Sequence, residues 1–175
     1  MGGGLNDQRH MPRPESSVFG MLELRFERRL YGVMVVLGSL RMETLRVKTN
    51  RRTQLLDVTD EVADVVAKSG VHDGVCHLFV PHTTAAVIIN EYADPDVASD
   101  LEGIFDRMVP HKGPYRHAEG NTDSHMKAVM TGASQTIFIE QGRLALGTWQ
   151  GVFFCEFDGP RDRKLWVKVD GHRKP

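Results

Sequence analysis

The sequence predicts an α+β domain built on a mainly antiparallel sheet with two or three helices. Three observations carry that class. Two segments repeat apolar residues at helical spacing between start and stop signals. The last third of the chain reads as strand throughout. The strands elsewhere follow one another too closely for βαβ crossovers, which need about a dozen residues or more each. A chain of 175 residues amounts to one domain at roughly 150 residues apiece.

Residues 1–41 stand apart. Met1 to Ser17 is polar, contains Gly and Pro, and shows no apolar period. Leu30 to Leu40 is an apolar run of 11 residues, short of the roughly 20 a membrane helix needs. Arg25, Arg28 and Arg29 precede it as in a signal peptide. No small-x-small cleavage site follows, however, and the run leads straight into Arg41-Met42. The expectation is an N-terminal extension over 1–41, disordered or upstream of a mis-called start, and one domain over 42–175.

From Met42, Glu43–Thr49 and Arg52–Val58 read as strands of a hairpin turned at Asn50-Arg51. A helix follows over 59–69. Val58, Val62, Val65 and Val66 share one face, Asp60, Glu61 and Asp64 load its first turns, and Gly70 ends it. Gly74–Val80 alternates as a buried strand, and Ala85–Ile89 is a second apolar run. Asp94-Pro95 opens a helix over 95–108, because Asp caps and Pro loses nothing at the first helical position. Val97, Leu101, Ile104, Phe105 and Met108 form its expected buried stripe, and Pro110 stops it. A polar loop covers 110–121, a short helix 122–130, and Gly132 closes it. Gln135–Glu140, Leu144–Phe157 and Lys164–Val169 complete the strands, with turns at Gln141-Gly142 and Asp158-Gly159-Pro160.

Composition narrows function. Lys+Arg 22 against Asp+Glu 23 leaves a net charge of −1, so no electrostatic footprint for nucleic acid or a membrane surface stands out. Cys76 and Cys155 lie in apolar strand-like runs and read as reduced interior thiols of a cytoplasmic protein. P-loop, GxGxxG, GxSxG and CxxC motifs are missing.

Polar residues gather in four places. At Pro81-His82-Thr83-Thr84, with Glu91 downstream, the imidazole is either a metal ligand or general base, or merely satisfies a loop carbonyl. Tyr115-Arg116-His117, with Asn121, Asp123 and His125, offers two imidazoles to a cation, although a spacing of eight is no compact helical pair. His111, like His10 and His172, reads as solvent-exposed. In Gly147-Thr148-Trp149-Gln150-Gly151, Gln150 is placed to enter a pocket, and Trp149 fits core or interface equally. In the run from Glu156 to Arg163, Arg161 and Arg163 either form a phosphate-gripping fork or decorate a solvated hairpin tip.

Taken in order, these segments carry a resemblance: His82-Thr83-Thr84-Ala85-Ala86, Glu91, Asp100-Leu101, Tyr115-Arg116-His117, Asn121-x-x-x-His125, Gly142-x-Leu144-x-Leu146-Gly147-Thr148-Trp149-Gln150 and Glu156-x-Asp158-Gly159-Pro160-Arg161-x-Arg163. The chain resembles the YjbQ-like family, also labelled secondary thiamine-phosphate synthase enzymes, over about residues 42–170. The resemblance implies a homotrimer with clefts near subunit boundaries and a divalent metal, zinc foremost and magnesium for a diphosphate substrate. By that resemblance His82, His117 and His125 hold the metal, and Glu91, His82 and Asp100 do chemistry. Thr83, Thr84, Asn121, Gln150, Glu156, Arg161 and Arg163 bind substrate. The implied function is a metal-dependent enzyme on small phosphorylated metabolites, with thiamine-phosphate synthesis as the named activity. A metal-assisted hydrolase and a non-catalytic metal- or metabolite-binding trimer are the alternatives.

Overall fold

The structure is a computed structural model that describes residues 42–173; the expectations for 1–41 lie outside them. Every strand pair is antiparallel and the class is α+β, as the sequence predicts. A five-stranded sheet runs in the order β1 (Met42–Lys48), β8 (Asp162–Arg173), β3 (Val71–Phe79), β5 (Ser134–Glu140), β6 (Arg143–Leu144). A three-stranded sheet runs β2 (Gln54–Asp57), β7 (Gln150–Glu156), β4 (Ala85–Glu91).

Alternation along the strands decides how the layers stack. Cys76 and Leu78 of β3, Ile137 and Ile139 of β5, and Leu165 and Val167 of β8 all turn inward. There they meet Val87, Val152 and Phe154 of the smaller sheet and Val62 and Val66 of α1 (Thr59–Ser69). The opposite face of the smaller sheet presents Leu55, Ala86, Phe153 and Cys155. That face is covered by Ala98, Leu101 and Phe105 of α2 (Pro95–Met108) and Ala128 of α3 (Thr122–Thr131).

The helix signals hold. Gly70 ends α1 in the left-handed region (φ 70°), and the Asp94 side chain accepts from the Asp96 N–H at 2.9 Å ahead of Pro95. Three expectations are corrected. β1 and β2 do not form a hairpin: residues 49–53 carry the chain from one sheet to the other, because β1 pairs β8 while β2 pairs β7. Leu144–Phe157 is not one strand, since β6 belongs to the larger sheet and β7 to the smaller. Ile104 and Met108 of α2 are exposed, because the helix packs through Ala98, Leu101 and Phe105 and turns Glu102 onto the Leu55 N–H. No helix among the described residues is long and apolar enough to cross a membrane.

Candidate functional site

The densest polar cluster lies where β7 ends and β8 begins. Glu156 is fully buried, and Arg163 grips it from two nitrogens, Nε to Oε2 at 2.7 Å and Nη2 to Oε1 at 2.5 Å. Arg163 Nη2 also donates to Thr84 Oγ1 at 2.9 Å, and Thr49 Oγ1 donates to Glu156 Oε2 at 3.0 Å. The backbone N–H groups of Phe157 and Asp158 donate to Glu156 Oε1. These bonds fasten the start of β4, the end of β1 and the turn at 157–161 around one carboxylate. Gly159 is required in that turn, because a Cβ there would collide with the Arg51 carbonyl oxygen.

His82 joins from the β3–β4 turn, its Nε2 accepting the Lys164 N–H at 2.9 Å. Burial pushes its pKa down, and the Arg163 and Lys164 charges push the same way against Glu156. His82 is therefore a neutral imidazole whose one lone pair is in use and whose Nδ1 carries the proton.

A second carboxylate network extends the cluster to the start of α3. Asp158 Oδ2 accepts from Asn121 Nδ2 at 3.1 Å and from Arg161 Nη2 at 2.7 Å, and Oδ1 lies 3.3 Å from Arg52 Nη1. Arg52 Nη2 donates to Asp123 Oδ1 at 3.0 Å. Asp123 also meets His111 Nδ1 at 3.2 Å and Lys127 Nζ at 3.3 Å, and Lys127 reaches Asp106 Oδ1 at 2.6 Å. Burial alone would raise the pKa of Asp106, Asp123 and Asp158, but the hydrogen bonds and cations around each hold it below the usual carboxylate value. At the outer edge of α3 the rings of His117 and His125 meet edge-on with centroids 5.4 Å apart, and Glu119 Oε2 lies 3.9 Å from His117 Nε2.

The structure thus brings His82, Thr84, Glu156 and Arg163 together, and beside them Asn121 and Arg161 around Asp158. Thr83 is exposed in the turn before β4, and Asp100 is exposed on α2. Glu91 and Gln150 are elsewhere. They face each other at one end of the β4–β7 pair, whereas Ala85 faces Glu156 at the other. Six residues of strand, roughly 20 Å, separate the two ends, so within one chain Glu91 is no neighbour of His82. Gln150 Oε1 accepts the Gly147 N–H at 2.8 Å, and Gln150 lines a separate cavity of about 550 Å³ with Asp57, Thr59, Tyr92 and Thr148.

The expected convergence of His82, His117 and His125 is likewise not formed within one chain. Among the described residues no three His, Cys, Asp or Glu side chains gather as a metal-ligand group, and the His82 lone pair is spent on Lys164. Nor do Arg161 and Arg163 form a fork, because each is turned onto its own carboxylate. Thr49, Arg52, His111 and Lys127 were missed by the sequence reading. Only the i, i+4 spacing of Asp123 and Lys127 signalled an ion pair.

These shifts predict a two-stage loss of stability in acid. A histidine whose folded pKa is depressed makes the unfolded state bind more protons below about pH 6.5, so stability falls as pH drops through that value. Carboxyls with depressed folded pKa values contribute fully above about pH 4 and lose that contribution as pH falls further. Melting temperature measured from pH 8 to 3 should therefore step down twice. His82→Gln should erase the upper step alone, and an upper step that survives His82→Gln contradicts the assignment.

Comparison with known proteins agrees with this layout. The family model described as "UPF0047 protein YjbQ-like" matches residues 43–172. The UPF0047 protein YugU of Bacillus subtilis is 47 % identical over 131 residues, covering 74 % of this chain and 99 % of that protein. A UPF0047 protein of Methanocaldococcus jannaschii is 45 % identical over 128 residues, covering 73 % and 93 %. The crystal structure of a YjbQ/UPF0047 family protein from Clostridium acetobutylicum superposes with a TM-score of 0.72 at 50 % identity, over 73 % of this chain and 99 % of that one. A YjbQ-like protein of unknown function from Sulfolobus solfataricus gives a TM-score of 0.74 at 32 % identity, over 77 % and 99 %. With its helices, its polar cluster and all but the two outermost strand residues inside the matched span, the chain belongs to the UPF0047 YjbQ-like family.

Proposed function

We propose that this chain is a metal-dependent enzyme acting on a small phosphorylated metabolite, assembled as a homotrimer in the cytoplasm. The observation that carries the reading is the His117–His125 pair. Two imidazoles bound to one tetrahedral zinc at about 2.0–2.1 Å hold their ring centroids about 5 Å apart, close to the 5.4 Å between these rings. Imidazole nitrogen donors suit zinc, whereas magnesium prefers oxygen ligands and would enter with a diphosphate. A metal held there would acidify water or neutralise phosphate charge.

The chain's own groups suit a phosphorylated ligand through Arg161. Its Nε and Nη2 are held by Asp158, its side chain is half exposed, and Nη1 makes no hydrogen bond among the described residues. Arg163, buried with its Nε and Nη2 on Glu156 and Thr84, orders the site from behind. Thiamine-phosphate synthesis, which joins hydroxymethylpyrimidine diphosphate to a thiazole phosphate and releases diphosphate, is the first reaction to assay. Hydrolysis of a phosphate ester uses the same groups with water as nucleophile.

Exposed apolar residues at Met126, Val129 and Met130 of α3, beside His125, support a subunit contact near the site. Cytoplasmic placement is supported by Cys76 and Cys155, free thiols in the core, the first pushed up to about 12 by burial. Purified protein should carry zinc by elemental analysis and run as a trimer by light scattering. His117→Ala and His125→Ala should each lower metal content and turnover together. Protein that takes up no zinc from solution would refute the metal reading.

A further inference from the structure

We infer that His111, paired with buried Asp123, is the proton acceptor of this site; the inference rests on the proposal that the site processes a phosphorylated metabolite. Asp123 is fully buried in the first turn of α3, while the His111 side chain is about half exposed (49 %) on the loop before it. Asp123 Oδ1 lies 3.2 Å from His111 Nδ1 and accepts from Arg52 Nη2 at 3.0 Å, and its Oδ2 accepts from Lys127 Nζ at 3.3 Å. A carboxylate ion-paired to two cations only accepts hydrogen bonds. His111 therefore supplies the Nδ1–H, which leaves Nε2 as the ring nitrogen free to exchange a proton.

His82 carries its proton on the same nitrogen, but its Nε2 is already spent on the Lys164 N–H. It also differs from His77, an exposed ring on β3 whose Nδ1 partner is the Thr136 hydroxyl. A buried carboxylate behind an imidazole fixes the ring's orientation and stabilises the imidazolium that forms when Nε2 takes a proton. Arg52 binds the same Asp123 oxygen and also reaches Asp158, which holds Arg161. That chain of contacts links the His111–Asp123 pair to Arg161, a guanidinium suited to a ligand that carries negative charge.

In the step this geometry serves, a hydroxyl or water adds to the electrophilic centre of the phosphorylated substrate. Its oxygen forms the new bond, its proton passes to His111 Nε2, and the leaving group departs with its bonding pair. Arg161 meets charge on the phosphate. Asp123 stays ionised throughout.

Three measurements decide the matter. Two-bond ¹H–¹⁵N correlation spectra of the full chain should show His111 as the Nδ1–H tautomer; an Nε2–H tautomer overturns the inference. Diethyl pyrocarbonate labelling followed by mass spectrometry should modify His111 several-fold faster than His77, and Asp123→Asn should cancel the advantage. Equal rates in the unmodified chain overturn it, and if Asp123→Asn does not fold, the tautomer and that rate comparison decide without it. His111→Gln should keep zinc content unchanged while lowering kcat for hydrolysis of p-nitrophenyl phosphate by about 10²-fold or more with KM little altered, and an unchanged kcat overturns the inference. A chain that binds no zinc, yet shows the Nδ1–H tautomer and the fast labelling, refutes the proposed function and leaves the His111–Asp123 pair standing.

Discussion

Arg163→Met should destabilise the fold by about 3–5 kcal/mol, the usual cost of leaving one member of a buried ion pair unpaired. The size follows from what remains. Glu156 is fully buried, and among the described residues Arg163 is the one cation within ion-pair distance of it. The Thr49 hydroxyl and two backbone N–H groups stay on the carboxylate, but they cannot balance a full charge away from water. Thr84 loses its donor as well. The pair itself is less valuable than its disruption suggests, since desolvating both charges offsets much of their attraction. Glu156→Gln combined with Arg163→Met should accordingly cost less than Arg163→Met alone. Urea unfolding monitored by circular dichroism measures both, and a single-variant loss under about 1 kcal/mol would show that water reaches Glu156.

How much of this was legible beforehand depends on the range of the signal. α1 and α2 announce themselves within a dozen residues, through the Val58/Val62/Val66 stripe and the Asp94-Pro95 cap, and both are where the sequence puts them. β1 and β2 read as a hairpin because Asn50-Arg51 is good turn chemistry whichever sheet the next strand joins. What diverts β2 is pairing with β7, about a hundred residues away. The polar motifs are legible as segments, but which of them are neighbours within one chain is not. Glu91 and His82 are nine positions apart, and nearly all of that interval is one extended strand, which carries them to opposite ends of a sheet. Strand geometry alone could have shown this. His111 is solvent-exposed, as the sequence reads, but its link to Asp123 is not legible there, because the two meet only when the 110–121 loop folds back on α3.

Lys127→Met should be the other large loss, again about 3 kcal/mol or more, with a pH signature that separates charge from packing. Lys127 is almost wholly buried on α3, its ammonium set between Asp106 of α2 and Asp123 one turn back on α3. Methionine keeps most of the apolar stem, so packing changes little. It removes the cation that both carboxylates share, and Lys127 lowers the pKa of each. In the variant both carboxyls titrate at higher pH than in the parent chain. As pH falls below about 4, the parent surrenders stabilisation that the variant never had, so the difference between them narrows. Asp123 retains Arg52 and His111, which is why folding should survive the substitution at neutral pH. Paired denaturant titrations at pH 7 and pH 3.5 provide the measurement. A gap of equal size at both values would mean that Lys127 acts through its aliphatic stem, and that the Asp106–Lys127–Asp123 bridge adds nothing to the hold of α2 on α3.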